Sequence, residues 1–393
     1  MNPSGTIFSQ LVEFLPKRQF RRLVARYGGD QRVRSFSCWD QFLCMMFAQI
    51  TYRESLRDIE ACLRAFGPKL YHAGIRGKVS RSTLARANEV RDWRIYRDFA
   101  HHLIKIARRL YADDAFGVEL ANTVYAFDST TIDLSLSLFP WAHFMNHPLK
   151  KKAAVKLHTL LDLRGNIPTF IEVSEGRMGD ALALDYLQIE PGAFYILDRA
   201  YFDFYRLARF ENAGAYFVTR PRKNMKFWRV SSNPIDPHGQ VRSDQIINLS
   251  GFNTSRFYPW SLRRVRYYDE AEQRALTFLT NNFDLPAQTI ADLYKCRWQI
   301  ELFFKWIKQN LRIKAFFGYS PNALRTQIWI SVATYVLIAI VKKRLKLSEP
   351  LSYLLQVLSL ALFEKSPILQ AIRSTELQQN TNTNDNQLIL FQS

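Results

Sequence analysis

Residues 294–308 read Tyr-Lys-Cys-Arg-Trp-Gln-Ile-Glu-Leu-Phe-Phe-Lys-Trp-Ile-Lys. At about 100° per residue, Arg297, Glu301 and Lys308 share one helical face with Tyr294. Large apolar side chains fill most of the remaining circumference. The pattern therefore predicts one half-buried amphipathic helix with a carboxylate held among cations, which suits a surface that meets phosphate and metal together. The same pattern is also typical of a solvated face joined by i,i+4 ion pairs.

The chain around this stretch is strongly basic. Its 393 residues include 54 Lys and Arg against 35 Asp and Glu, a formal net charge of +19. Such an excess predicts a polyanionic partner, either nucleic acid or an anionic membrane. The longest apolar run, residues 328–341, is too short to span a bilayer and contains Ser331 and Thr334. We therefore expect nucleic acid as the partner, with no membrane.

The cysteines and the first residues indicate where the protein works. The four cysteines show no paired spacing typical of zinc sites or disulfide frameworks. No secretory signal pattern opens the sequence. These features predict a reduced, cytoplasmic protein.

Residues 1–117 have helical periodicity and few strand signals, which predicts an all-helical DNA-binding domain. Residues 36–50 are almost wholly apolar, and Ser80 is placed to cap a helix over 81–90 that carries Arg81 and Arg86. This order fits either a helix-turn-helix reader or a simple helical bundle with a basic surface. A basic cluster, which is either a solvated face or a phosphate-binding surface, precedes it: Lys17, Arg18, Arg21, Arg22, Arg26, Arg32 and Arg34.

From residue 118 the periodicity changes to that of strands. Residues 124–127 form a short apolar run that stops at Asp128, and residues 194–197 form another that stops at Asp198. Between them, alternation on both sides of an Arg-Gly-Asn turn predicts a β-hairpin over 155–173. With a closing helix, these elements predict a ribonuclease-H-like α/β core over 118–219 and 276–347.

Residues 220–275 interleave cations with large rings and predict a β-rich insertion within that core. The remaining residues, 348–393, predict a C-terminal helix followed by a mobile Asn/Gln/Thr-rich tail.

Three carboxylates stand out by position. Asp128 and Asp198 end apolar strands, where open α/β sheets present functional groups, and Glu301 lies on the polar face of the quoted stretch. Hard oxygen ligands without His or Cys suit Mg²⁺, with Mn²⁺ as a substitute, and not zinc. Two such ions about 3.5–4 Å apart would serve phosphodiester displacement.

The quoted stretch also resembles a known family. Tyr294, Arg297, Glu301 and Lys308 spell Tyr-(2)-Arg-(3)-Glu-(6)-Lys, the signature of bacterial insertion-sequence transposases of the IS-four group, which are cut-and-paste enzymes of the DDE class. Residues 128–130, Asp-Ser-Thr, resemble the first catalytic motif of that family, and residues 198–201, Asp-Arg-Ala-Tyr, resemble the second. The resemblance covers roughly residues 120–345.

The resemblance implies specific roles for these residues. Asp128, Asp198 and Glu301 would be the catalytic, metal-binding triad of a DNA transposase. The resemblance further implies that the enzyme cuts double-stranded DNA at the terminal inverted repeats of its element and joins the freed 3′ ends to target DNA, with no small-molecule substrate. It also implies two protomers in the synaptic complex and association with the bacterial nucleoid. The residues expected to contact DNA are Tyr294, Arg297, Lys308, Arg199, Tyr201, Trp228, Arg81 and Arg86.

Two points stay open in the sequence. Trp228, or secondly Trp260, is a candidate for stacking on a flipped base in a hairpin intermediate, although each also fits a place in the core. Two other functions fit the same residues: a ribonuclease-H-like nuclease or resolvase that cuts without joining, and an inactive DNA-binding protein derived from such an element.

Overall fold

The computed structural model describes residues 5–76, 79–147, 150–310 and 316–372. The chain divides into two compact units. The first contains the residues up to 110 and those from 306 onward, and the second contains residues 111–305. The division differs from the predicted domains, since residues after 305 group with the N-terminal helices and not with the strands. The predicted mobile tail lies outside the described residues.

The first unit is helical. Its elements are α1 (Ile7–Glu13), α2 (Lys17–Arg26), α3 (Cys38–Ile50), α4 (Leu56–Ala65), α5 (Gly67–Leu70), α6 (Arg81–Val90), α7 (Arg94–Tyr111), α12 (Pro321–Arg344) and α13 (Leu351–Ala361). The predicted apolar helix is α3, which is buried along its whole length. Ser37 and Asp40 form a capping box at its start, so local sequence decides where this helix begins.

The long helix α12 explains why the residues after 305 group with the N-terminal helices. It is apolar on all sides and almost entirely buried, so it needs partners around its whole circumference. The hydroxyls of Ser331 and Thr334 donate to the carbonyls of Gln327 and Ile330, each at 2.8 Å, which satisfies both groups inside the unit. By length and composition α12 could cross a membrane, and 94% of its most apolar window is buried within the protein.

The capped helix predicted after residue 80 is present as α6. Ser80 accepts a hydrogen bond from the Thr83 amide at 3.2 Å. Arg81 and Arg86 are exposed on its surface. The short helix α5 lies between α4 and α6, so the connection is longer than the tight turn of a helix-turn-helix motif.

In the second unit, the described residues form a ten-stranded sheet. Its strands are β1 (Val124–Leu134), β2 (His143–His147), β3 (Lys150–Asp162), β4 (Ile167–Glu175), β5 (Phe194–Leu197), β6 (Tyr216–Thr219), β7 (Phe227–Asn233), β8 (Val241–Leu249), β9 (Leu262–Asp269) and β10 (Arg274–Thr280). The order is β2-β3-β1-β5-β6-β10-β9-β8-β7, with β4 paired to β3. Strands β1, β5 and β6 are parallel, and the predicted hairpin is β3–β4.

Helices α8 (Phe204–Asn212), α9 (Phe252–Phe257) and α10 (Ala287–Lys295) belong to this unit, and α11 (Trp298–Asn310) begins in it. Buried aromatic and aliphatic side chains between the sheet and α8, including Phe127, Tyr195 and Phe217, form its core. Strands do form in residues 220–275, but β7, β8 and β9 continue the main sheet through β10. The predicted insertion is therefore an extension of one sheet.

Two local predictions are wrong. Residues 294–308 are not one helix: α10 ends at Lys295 and α11 begins at Trp298. Around this break the amides of Arg297 and Ile300 bond to carbonyls three residues earlier, which tightens the backbone into a turn. Asp128 does not end its strand either, because β1 continues to Leu134 in antiparallel pairing with β3.

Candidate active site

Asp128 and Asp198 lie side by side where the parallel pairing of β1 with β5 ends, at the carboxyl end of the ladder. Phe127 and Leu197 are paired in register and close the parallel ladder between β1 and β5, so each aspartate is the next residue along its strand. Leu197 is paired in turn with Thr219 at the end of β6. Arg220 therefore follows a third parallel strand at the same end. The carboxyl ends of these strands collect two acids and one cation.

Arg297 connects Asp128, on strand β1, to Glu301, on helix α11. Its Nη1 donates to Asp128 Oδ2 at 2.9 Å, and its Nη2 donates to Glu301 Oε1 at 2.6 Å. The Arg297 and Asp128 side chains are 19% and 18% exposed, whereas that of Glu301 is 58% exposed. The break between α10 and α11 places Arg297 at the start of α11, one turn before Glu301.

Tyr294 makes the corresponding contact on the other aspartate. Its hydroxyl donates a long hydrogen bond of 3.4 Å to Asp198 Oδ1. Burial first, and then the negative charge of Asp198, raise the pKa of Tyr294, so it remains a neutral donor. The first three signature residues thus meet the two strand acids in one place.

The electrostatics of Asp128 reflect this crowding. Burial raises the pKa of Asp128 to about 6, and the charges of Asp198 and Glu301 act in the same direction. The Ser129 amide, at 2.8 Å, and Arg297 oppose the rise. Burial alone would lower the pKa of Arg297, but the neighbouring Tyr294 and Asp128 raise it. The acids are thus held together by a cation that compensates their repulsion.

A further acid, Asp180, holds the residue that follows Asp128. Asp180 begins a short 3₁₀ helix over Asp180–Tyr186. Its Oδ1 accepts from Ser129 Oγ at 3.0 Å and from Lys156 Nζ at 3.1 Å. Asp180 therefore anchors the residue after Asp128 and is itself paired with a lysine of β3.

A cleft of about 530 Å³ adjoins the acids. Arg297, Glu301 and Tyr294 line it, together with Arg220 and Arg274. Neither Arg220 nor Arg274 was among the predicted site residues. For Arg220, its place directly after an apolar strand was the signal that the sequence offered.

The remaining predicted residues differ in exposure. Arg199 is half-buried, and its buried Nε has no hydrogen-bond partner among the described residues. Tyr201 is fully buried, and its ring packs edge-on against Phe127 at 4.8 Å between centroids. A buried side chain cannot reach DNA in this arrangement, so the expected DNA contact of Tyr201 is corrected to a core contact. Lys308 lies two turns beyond Glu301 on α11 and is half-buried.

The two tryptophans are not core residues. Trp228 is 53% exposed on β7, the last strand of the sheet. Trp260 is 39% exposed and packs edge-on against Tyr258 at 5.3 Å between centroids. Both rings present area to solvent on which a base could stack.

The acids match a divalent cation in donor type, since Asp128, Asp198 and Glu301 offer only carboxylate oxygens. Arg297 contacts both Asp128 and Glu301, and Asp198 follows the strand paired with that of Asp128, so the three carboxylates lie near one another. In the described part of the chain, however, no three His, Cys, Asp or Glu side chains lie close enough to hold a metal ion. Arg297 occupies the space between Asp128 and Glu301 instead. Glu301 would have to turn from Arg297 to join the two aspartates.

Residues 119–337, more than half of the chain, match the family described as Transposase DDE domain. The chain belongs to the transposase DDE domain family. The family segment includes the strand acids, Glu301 and the cleft beside them. Residues 4–76 match a second family, described as a domain of unknown function (DUF4372).

Three relatives of this DDE-domain chain are transposases by name. A putative transposase, y4zB, of Sinorhizobium fredii is 34% identical over 245 residues, 61% of this chain and 67% of the relative. A probable transposase for insertion sequence element IS5377 of Geobacillus stearothermophilus is 30% identical over 213 residues, 54% of each chain. A putative transposase for insertion sequence element IS4SA of Synechocystis is 23% identical over 270 residues, 67% of this chain and 72% of the relative.

Among solved structures, the DDE-domain chain is similar to a piggyBac transposase in a synaptic complex with hairpin DNA. The two chains are 11% identical, with a TM-score of 0.43 and coverage of 93% of this chain and 79% of the other. At this TM-score the similarity carries no argument about fold or mechanism.

Proposed function

We propose that the protein is a DNA transposase of the DDE class, within the IS-four group, that cuts at the terminal inverted repeats of its element and joins the 3′ ends to target DNA. One observation carries the proposal: Arg297 binds Asp128 and Glu301 together, directly beside Asp198 and Tyr294. Membership of the transposase DDE domain family supports it. The +19 charge of the chain suits a DNA partner.

The order of the strands supports a ribonuclease-H-like core. The hairpin β3–β4 lies antiparallel beside β1, and β1, β5 and β6 follow as parallel neighbours. The two aspartates follow the ladder of β1 and β5, and the glutamate is supplied by a later helix. Strands β7 to β9 extend this core between the second and third acids.

The side chains would act as follows. Asp128, Asp198 and Glu301 would hold Mg²⁺ or Mn²⁺, two ions per site, which when bound activate an attacking water or 3′-hydroxyl and neutralise the leaving oxygen. Arg297, released from Glu301, would donate to the phosphate beside the broken bond. Arg220 and Arg274, in the cleft, would hold neighbouring phosphates of the same strand.

The same proposal covers the surrounding contacts. Trp228 would stack on a base extruded near the cut, because it is exposed and lies on the last strand of the sheet. Lys308 and Arg199 would contact DNA near the acids. Arg81 and Arg86 would contact DNA from α6, in the first unit. Two protomers would hold the two element ends in a cytoplasmic synaptic complex.

The test is cleavage and strand transfer on DNA that carries the sequences flanking this gene, with Mg²⁺ present. Asp128→Asn, Asp198→Asn and Glu301→Gln should each abolish both steps. Asp133→Asn is the matched control, because Asp133 is an exposed aspartate on the same strand as Asp128. Full activity in any of the three triad variants would overturn the proposal. Cleavage without a 3′-joined product would identify a nuclease instead, and no metal-dependent nicking would identify an inactive DNA-binding protein.

A further inference from the structure

A cavity of about 490 Å³ lies among the N-terminal helices, within the segment that matches a domain of unknown function. Three cationic side chains line it: Lys17 and Arg21, one turn apart on α2, and Arg76. The ring of Trp39, the second residue of α3, forms part of its wall. Its size is in the usual range of ligand pockets, about 300–1,000 Å³.

The three cations of this cavity have exposed side chains and outnumber the two acids that line it, Asp30 and Asp40. Within the described residues, Lys17, Arg21 and Arg76 make no ion pair. Both acids that line the cavity are used elsewhere. Asp30 accepts from the Cys38 amide at 2.7 Å, and Asp40 accepts from the amides of Ser37 at 2.8 Å and Arg76 at 3.1 Å. The carboxylates thus fix the backbone of the wall, and the side-chain cations are left facing the cavity.

The tryptophan of the wall has an unused donor. Trp39 is only 8% exposed, and its indole Nε1 is buried without a hydrogen-bond partner among the described residues. Such a group costs free energy unless a ligand or water satisfies it. Lys17 Nζ lies 5.4 Å from the ring centroid, so the aromatic wall and the positive charge occupy one place.

The charges of the cavity repel one another. Burial first, and then the neighbouring Arg21 and Arg76, lower the pKa of Lys17, against the opposing effect of Asp40. An anion between the three cations would relieve this repulsion. Phosphate is the anion that best matches two guanidinium groups and an ammonium.

We propose that this cavity binds one phosphate-bearing nucleotide unit of DNA, with Lys17, Arg21 and Arg76 on the phosphate and Trp39 beside the sugar or base. The DNA source rests on the proposed function. The domain of unknown function would then grip the DNA backbone at a built pocket, and not only by diffuse charge. A free nucleotide has the same chemistry, and the experiment separates the two sources.

The experiment measures binding of a fluorescent DNA duplex by anisotropy, in an Asp128→Asn background so that no cleavage occurs. Lys17→Gln/Arg21→Gln removes two cavity cations. Arg18→Gln/Arg22→Gln is the matched control, since it removes two cations of the same helix that are exposed, as Lys17 and Arg21 are, but do not line the cavity. The cavity double variant should weaken the Kd at least tenfold and reduce the salt slope by about one phosphate contact. The control should weaken the Kd less than threefold.

A third variant tests the indole donor. Trp39→Phe keeps an aromatic ring and removes the N–H, and we expect a Kd three- to fivefold weaker with unchanged circular dichroism. If the Kd for DNA is weakened equally in the cavity and control double variants, the proposed pocket is refuted, and the exposed cations attract DNA only through their overall charge. Competition by AMP or inorganic phosphate at concentrations near the Kd for DNA would overturn the DNA source. If the triad variants lose strand transfer while these binding differences remain, both proposals stand. If strand transfer is retained, the proposed function fails while the pocket stands.

Discussion

The Arg297→Gln variant tests the electrostatic core of the site. Arg297 is the cation between Asp128 and Glu301, and glutamine keeps a polar side chain without the charge. Breaking a buried pair costs about 3–5 kcal/mol, whereas exposed pairs contribute about 0–1 kcal/mol. The Asp128 pair is about one-fifth exposed and the Glu301 pair is mostly exposed. We therefore expect Arg297→Gln to lower the free energy of unfolding by about 2–3 kcal/mol.

The loss of stability in Arg297→Gln should be larger at high pH than at low pH. The pKa of Asp128 is raised from 3.8 to about 6 in the folded chain even with Arg297 present, and without Arg297 it should rise further. Below pH of about 4 Asp128 is protonated in both the folded and unfolded states, so the pair contributes nothing. As pH rises through 6 the folded wild type ionises beside its cation, whereas the variant must ionise without one. The unfolded state is the same in both proteins, so the stability difference should stay constant between about pH 4 and about pH 5 and grow as pH rises through the wild-type pKa of about 6 and beyond.

Urea unfolding followed by circular dichroism at a series of pH values from 4 to 8 measures this difference. For a domain of 150–250 residues, the loss corresponds to a fall in melting temperature of about 5–10 °C. Arg274→Gln is a suitable control, because this arginine lines the same cleft but contacts neither Asp128 nor Asp198. A loss in Arg297→Gln that is constant across the pH range would refute the electrostatic reasoning and indicate a packing role.

Four further changes test other parts of the second unit. Asp128→Asn should raise stability by about 2 kcal/mol at pH 8 and not at pH 4, because the cost of burying the carboxylate accumulates as pH rises from the unfolded pKa of about 4 to the folded pKa of about 6; melting temperatures at both pH values check this. Arg263→Met should cost about 3–5 kcal/mol in urea unfolding, since it strands buried Asp244, and Arg263→Met/Asp244→Leu should recover much of the loss. Gly165→Ala should lower stability by about 2–4 kcal/mol, because φ is +74° and the new Cβ would lie 2.2 Å from a tyrosine ring atom; calorimetry detects it. Trp228→Ala should change stability by less than about 0.5 kcal/mol while slowing strand cleavage, which a gel assay compares with wild type.

The sequence predicted correctly those helices and turns whose deciding contacts lie between neighbouring residues. Ser80 caps α6 as expected, and Asp203 caps α8 through the Arg206 amide at 3.1 Å. The hairpin β3–β4 was predicted by alternation and by its Gly165 turn. In each case the deciding contacts lie within a few residues along the chain, so a single sequence displays them.

Long-range pairing accounts for what was missed. The break before Trp298 interrupts a continuous helical pattern, and no Pro or Gly marks it in the sequence. The extension of the sheet by β7 to β9 depends on pairing between β9 and β10. The continuation of β1 past Asp128 depends on its partner β3. Each of these is decided by a neighbour in space that the local pattern does not contain.

The sequence by itself singled out the three carboxylates of the candidate site, but not Arg220 or Arg274 in the cleft beside them. Asp128, Asp198 and Glu301 stand at recognisable positions in motifs that a single chain carries, and its charge identifies a polyanionic partner. Only the tertiary structure decided how they meet. Arg297 reaches across 169 positions of sequence to Asp128, and Arg220 follows the strand next to that of Asp198 because β6 pairs with β5. Spacing along one element follows from backbone geometry, whereas contact between elements follows from packing of the whole sheet.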